Sequence, residues 1–299
     1  MKHFVLPKAH RFAAATAALL TASLAGASLQ AQAAERTVFV SVLDRANAPV
    51  TTLGPSDFIV REDGVTREVL RSRPATEPID VAVLVDNSAA AEDAAQRIRD
   101  ALRPFAAALQ PGHAVALIGL ADRPTVLADY TTDRQAFGRG VDRVFPQSGS
   151  GMTLLDALVD ASRGLEKRGG ARRAIVAVLT EGPEFSNLHY QQVLEALGTA
   201  GAAFYPIVIG AGGPPEDEPG RNRALVLDEG ARASGGLRQT ILSPMAVDTA
   251  LRMVAAVLDN QYAVVYSRPE SLIPPKSVTV AVKRQGLTAR STPAPEVRR

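Results

Sequence analysis

The sequence predicts an α/β protein: a doubly wound, mostly parallel sheet with a small flanking β-sandwich formed by the N- and C-terminal segments. Three observations predict it. Short apolar runs alternate with amphipathic helical patterns through the centre of the chain. Those runs are apolar at every position, as strands covered by helices on both faces must be. Period-two strand patterns lie on either side of this central region.

The runs are Val81–Val85, Val115–Leu120, Ala174–Leu179 and Phe204–Ile209. Amphipathic segments near 91–109, 154–167, 187–200 and 244–259 alternate with them, which implies parallel strands joined by helical crossovers. Before this region, Thr37–Val42 and Asp57–Arg61 read as strands, and Asp63-Gly64 reads as a tight hairpin turn. Arg73–Pro78 reads as a linker. After it, Tyr262–Tyr266 and the alternating Val278, Val280 and Val282 read as strands, with a turn at Gln285-Gly286. Gly212–Glu218 reads as an acidic loop. The expected division is a signal peptide at 1–33, an N-terminal β segment at 36–72, the α/β domain at 78–259, a C-terminal β segment at 262–290 and a disordered tail at 291–299.

The first 33 residues have the pattern of a secretory signal. Lys2, Lys8 and Arg11 precede an Ala/Leu core at 12–27, and Ala31-Gln32-Ala33 fits a small-x-small cleavage site. The core is short and Ala-rich for a permanent span. The expected location is therefore periplasmic or secreted, with a mature chain starting at Ala34 and no stable membrane span. The sequence pI of 9.0 does not indicate nucleic acid. Those three cations sit in a segment without acidic residues, and the remaining Lys and Arg are balanced by the 31 Asp and Glu. No basic stripe follows.

The chain has no cysteine, which excludes disulfides, thiolate metal sites and a cysteine nucleophile. Beyond residue 33 only His113 and His189 remain. The first lies in a turn and the second opens a helix, so both are expected at the surface or in caps. Ser148-Gly149-Ser150-Gly151 does not match a nucleophile elbow, and no phosphate loop or dinucleotide fingerprint is present.

Ligands of open α/β sheets bind at the carboxyl ends of strands. The first buried strand ends in Asp86-Asn87-Ser88-Ala89-Ala90. This resembles the Asp-x-Ser-x-Ser opening of the metal-ion-dependent adhesion site of von Willebrand factor type A (VWA) domains. Thr180-Glu181-Gly182 stands where that family has Thr-Asp-Gly. Gly151-Met152-Thr153, ahead of Leu154–Leu158, stands where it has Gly-Thr. Leu53–Phe58 with Glu62-Asp63-Gly64, and the segment from Val278 to Arg290, are similar to the flanks of bacterial secreted proteins of the VWFA-related type. The resemblance implies Asp86, Ser88, Thr153 and Glu181 as metal ligands, with Mg or Ca as the ion. It also implies protein–protein recognition as the activity, with a protein partner.

The chain departs from this pattern. Ala90 replaces the second serine and offers no oxygen. Glu181 is one methylene longer than aspartate, which displaces its carboxylate by up to ~1.5 Å. Aligning on the helix pattern puts Met152 at the threonine position; a loop one residue shorter puts Thr153 there. The expectation is a degenerate site with no cofactor firmly implied. A plainer account of the same residues is a helix cap at Asp86 and Ser88 and a strand-end turn at Glu181-Gly182. The alternatives to a non-enzymatic binding module are an envelope hydrolase with an unrecognised site and a structural subunit of an envelope assembly. A cleft with a strongly shifted carboxylate or histidine would mark the first; a large apolar patch away from the rim would mark the second.

Overall fold

The computed structural model describes residues 33–213, 217–270 and 277–293, with Met1, His3, Pro215, Ile273 and Pro275. The signal segment 1–33, Ala33 apart, is thus almost wholly outside the described residues, as is the tail beyond 293.

The chain opens with β1 (Ala33–Leu43), β2 (Phe58–Glu62), β3 (Val65–Arg67) and β4 (Val69–Pro74). Asp63 and Gly64 both take positive φ, 46° and 83°, which closes the β2–β3 hairpin. The α/β region follows with β5 (Ile79–Val85), α1 (Ala95–Ala108), β6 (Ala114–Gly119), β7 (Thr125–Thr131) and α2 (Arg134–Val141). It continues through α3 (Leu154–Arg168), β8 (Arg172–Leu179), α4 (Tyr190–Ala200) and β9 (Ala203–Ile209). Next come α5 (Glu218–Leu225), a π turn at Val226–Gly230, α6 (Ala231–Ala233), β10 (Gln239–Ile241) and α7 (Val247–Asp259). β11 (Tyr262–Pro269), β12 (Val278–Val282) and β13 (Thr288–Pro293) close the described chain.

The six-stranded sheet has the order β10-β9-β8-β5-β6-β7. It is parallel except for the edge strand β7. Its central strands are buried on both faces by simple alternation. Val81, Val83 and Val85 of β5, with Val176 and Val178 of β8, pack beneath Ile98, Leu102 and Phe105 of α1 and Leu251 and Val254 of α7. Ala82, Leu84, Ile175 and Leu179 face Leu155, Leu158 and Leu165 of α3 and Val193 of α4. Each face supplies a separate apolar core, which is why these runs carry no polar position.

The ends of the chain form two further sheets, β13-β1-β11-β4 and β12-β2-β3, all antiparallel. They enclose a core of Val38, Val40, Val42, Phe58, Val60, Tyr262, Val264, Tyr266 and Val280. Phe58 meets Tyr262 edge-on at 5.2 Å.

Several elements differ from the sequence expectation. β7 and α2 occupy a stretch with no strong period, because β7 is a bulged edge strand that buries only Leu127 and Ala128. The acidic loop ends at Asp217, whose side chain accepts from Gly220 N and starts α5. β13 runs to Pro293, into the stretch expected to be disordered, because Val38 to Leu43 of β1 pair with it.

The sandwich is joined to the α/β layers around Arg172, which is 3% exposed. Its Nη1 donates to Glu77 O (2.8 Å) and its Nη2 to Leu258 O and to Gln261 Oε1 (2.9 Å). The guanidinium also lies over the Phe39 ring. Gln261 continues the network to Ser41 Oγ (3.1 Å) and, through its carbonyl, to Ala75 N (2.8 Å). Substituting Arg172→Met leaves three buried acceptors without donors and should cost at least about 3 kcal/mol. Urea denaturation of the variant should show a correspondingly lower midpoint.

Candidate functional site

The strand order reverses at β5, whose neighbours are β6 and β8. This is the switch point where a crevice opens at the carboxyl ends. Asp86 sits there, fully buried. Its backbone N–H continues the ladder to Val178 O (2.9 Å). Its carboxylate accepts from Ser88 N (2.9 Å), from Thr180 N (3.1 Å) and from the Thr180 hydroxyl. Asp86 therefore ties the end of β5 to the end of β8 by charge-assisted hydrogen bonds. Asn87 ties the other side. Its Oδ1 accepts from Leu120 N (2.8 Å) and Ala121 N (3.0 Å) after β6, and its Nδ2 donates to Phe145 O (3.4 Å).

Of the expected ligands, the structure brings Asp86 and Ser88 together and directs the other two elsewhere. The Ser88 hydroxyl is fully buried and has no hydrogen-bond partner among the described residues. Ser88 precedes the short 3-10 turn Ala89–Ala91 without a side-chain cap, so it contributes its N–H, rather than its hydroxyl, to the loop. Thr153 is buried at the N-cap of α3, and its hydroxyl donates to Leu120 O (2.8 Å). Met152 is wholly buried among Leu84, Leu120 and Leu154. Neither residue of the two alignments presents a free oxygen to Asp86. Glu181 is exposed and its carboxylate accepts from Gly212 N. Gly210 (φ 131°) makes room for it, since a Cβ there would lie 2.2 Å from the Glu181 carboxyl carbon. Ala90 packs against Gly182 where the family places a hydroxyl.

This donor set does not fit a divalent cation. Mg²⁺ takes near-octahedral oxygen coordination, and Ca²⁺ takes six to eight oxygens. Here the carboxylate of Asp86 already accepts three hydrogen bonds, the Thr153 hydroxyl is committed to Leu120 O, and the Glu181 carboxylate is turned to Gly212 N. No group of three or more His, Asp or Glu within reach of one ion occurs among the described residues.

The rim around this lock is formed by loops in direct contact. Gln147 N donates to Asn87 O (2.9 Å), and Ala89 N to Ser150 O (3.4 Å). Phe185 lies over Gly151, its ring within 2.5 Å of where a Cβ would stand. Phe145 and Phe185 are 58% and 52% exposed, and Arg99 stacks on Phe145 at 5.0 Å. The rim thus carries two presented aromatic rings flanking a buried, fixed carboxylate.

Thr180, Asn87 and Glu184 are the site residues that sequence reasoning did not assign. Thr180 was visible only as part of a motif, since its hydroxyl partner is far along the chain. Glu184 carries no local sign of burial in the sequence, yet it is 3% exposed. Burial pushes its carboxyl up to about 7, against the pull of Ser186, Arg223 and the Leu155 N–H. His113 is a correction: it is buried, with Nε2 3.2 Å from Asp259 Oδ1 at the foot of α7. His189 is exposed and caps α4.

These features define the class: a doubly wound α/β domain with a loop site at the carboxyl-end switch point. Residues 81–183 match the family model of the von Willebrand factor type A domain, and the chain carries such a domain. A von Willebrand factor type A protein from Catenulispora acidiphila has a similar fold (TM-score 0.51, 14% identity, 87% of this chain and 74% of that one). So has proximal thread matrix protein 1 of the mussel byssus (TM-score 0.51, 15% identity, 63% of this chain and 49% of that one). This chain therefore spans about half the length of the byssus protein. A further structure of that protein, with zinc occupying its MIDAS motif, matches with a TM-score of 0.50 at 15% identity, over 66% of this chain and 49% of that one. No curated protein matches the chain.

The Asp86–Thr180 lock makes a measurable prediction. Thr180→Val keeps the shape but removes a donor from a buried carboxylate. Stability should fall by about 1.5–3 kcal/mol, read from the shift in denaturation midpoint, while Thr180→Ser retains most of it.

Proposed function

We propose that the protein is exported and acts as a non-enzymatic recognition module, binding another protein through the carboxyl-end rim without a metal ion. The observation that carries this reading is the pair of exposed phenylalanines, Phe145 and Phe185, held on a rim whose centre is already cross-linked by Asp86 and Thr180. Large aromatic side chains on a rigid frame lose little entropy on binding and supply most of the energy of many interfaces. VWA domains are generally interaction modules, which agrees with this. The byssus protein holds zinc in its MIDAS motif; here Asp86 is satisfied by N–H and O–H donors, and the rim keeps its shape without a cation.

An enzyme is less well supported. Glu184 has a shifted carboxyl, but it is buried, and neighbouring Ser186 is 1% exposed with its hydroxyl accepting from Asp156 N (3.1 Å). Neither group reaches a substrate. His113 lies at the opposite end of the strands. Among the described residues no helix is long and apolar enough to cross a membrane.

Immobilised protein should capture its partner from an envelope fraction equally with and without chelator. Phe145→Ala with Phe185→Ala should weaken capture at least about tenfold. Calorimetry with Mg²⁺, Ca²⁺ and Mn²⁺ should show no saturable sub-millimolar binding. Saturable binding abolished by Asp86→Ala, or capture lost on chelation, would overturn the metal-free reading.

Export has its own test. A cut after Ala33 leaves β1 almost complete, beginning at Ala34 opposite Arg268. N-terminal sequencing of the mature protein should return Ala34, and an intact Met1 in a soluble cytoplasmic pool would contradict export.

A further inference from the structure

The loop that carries Phe185 is held by a short bridge and a buried acid. Met152 N donates to Pro183 O (3.0 Å), and Phe185 N donates to Met152 O (2.7 Å). Between these bonds the side chain of Glu184 turns inward. Its Oε1 accepts from Ser186 N (3.2 Å), and its Oε2 is buried with no hydrogen-bond partner. The Ser186 hydroxyl in turn accepts from Asp156 N, in the first turn of α3. The charged group that faces this acid is Arg223 on α5, whose Nη1 donates to Gly182 O (2.6 Å). No salt bridge to the Glu184 carboxylate occurs among the described residues. Arg223 and the N-terminus of α3 favour the ionised form, but burial outweighs them.

We propose that Glu184 is a proton-controlled latch on the rim loop, which keeps Phe185 seated over Gly151 while the acid is protonated and releases it as the proton leaves. The inference rests on the proposed recognition role of Phe185 only for its consequence, a binding face that assembles in mildly acidic surroundings. The latch itself is a property of the loop. When the loop opens, Glu184 reaches water and regains its ordinary carboxyl range near 4.5; when closed, its carboxyl titrates near 7. The closed state therefore holds an extra proton between those two values. Closure is favoured below the window and weakened as pH rises through it, by roughly tenfold per pH unit, and it is level above 7.

Hydrogen exchange of the Phe185 amide reads this without any partner. In the full-length protein, the protection factor of the segment 183–188, corrected for intrinsic exchange, should fall about tenfold per pH unit between pH 5 and 7. Glu184→Gln, which mimics the neutral acid, should hold its protection constant over the same range. The chain has no tryptophan, so Phe185→Trp places a single indole on the loop. Its emission should shift to the red with rising pH, and the shift should vanish when Glu184→Gln is added. Protection independent of pH in the wild-type protein, or a shift that persists in the double variant, overturns the latch. Loss of partner capture with an intact pH response would instead remove the recognition role and leave the latch standing.

Discussion

The guanidinium of Arg172 stands where the chain enters and leaves the α/β layers. Glu77 lies on the way in, Leu258 and Gln261 on the way out, and Phe39 and Ser41 belong to the first strand of the sandwich. Burying a cation is costly unless every donor is used. Burial does lower its pKa from the ordinary arginine value, but the acceptors come from both connections and hold it in place. The position of one layer relative to the other is thereby fixed by polar geometry, which is directional, rather than by apolar contact, which is not. The strand that begins at Arg172 ends at Leu179, and Thr180 follows it directly. The same strand thus registers the sandwich at one end and the functional rim at the other.

At that rim two strand ends are joined by hydrogen bonds between side chain and loop. A cation would draw loops together only while bound, and its loss would free them. The hydrogen bonds from Thr180 and Ser88 to Asp86 hold two strand ends without a concentration dependence. What remains adjustable lies one loop further out, at Glu184, where the acid lacks an ion-pair partner among the described residues. Rigidity at the centre and a soft element at the edge suit a surface that presents aromatic rings.

How much of this was legible depended on the range of the interactions involved. The strands β5 and β8 were plain in the sequence because both faces are apolar, a local property. Asp86 and Ser88 were legible because they follow such a strand. Thr180 was not assigned its role, because its partner is 94 positions away. Glu184 and Arg172 are charged residues with no local sign of burial; the layers that cover them come from distant segments. His113 was misread for the same reason, since Asp259 approaches it from the far end of α7. β7 and α2 escaped notice because an edge strand and a half-covered helix need only a few apolar positions.

The pairing of β1 sets an order of events in time. Its neighbours are β11 and β13, so Val38 pairs with Val264 on one side and Pro293 on the other. The first described strand waits for two of the last three, β11 and β13. Meanwhile the six-stranded sheet draws all its strands from residues 79–241, which are all made before β11 and β13. During that interval β1 is an apolar strand with two open edges, the form most prone to pairing with another chain. The hazard in the life of this protein therefore falls before folding finishes, and a chaperone that shields residues 36–43 would protect it more than any gain in the stability of the finished fold.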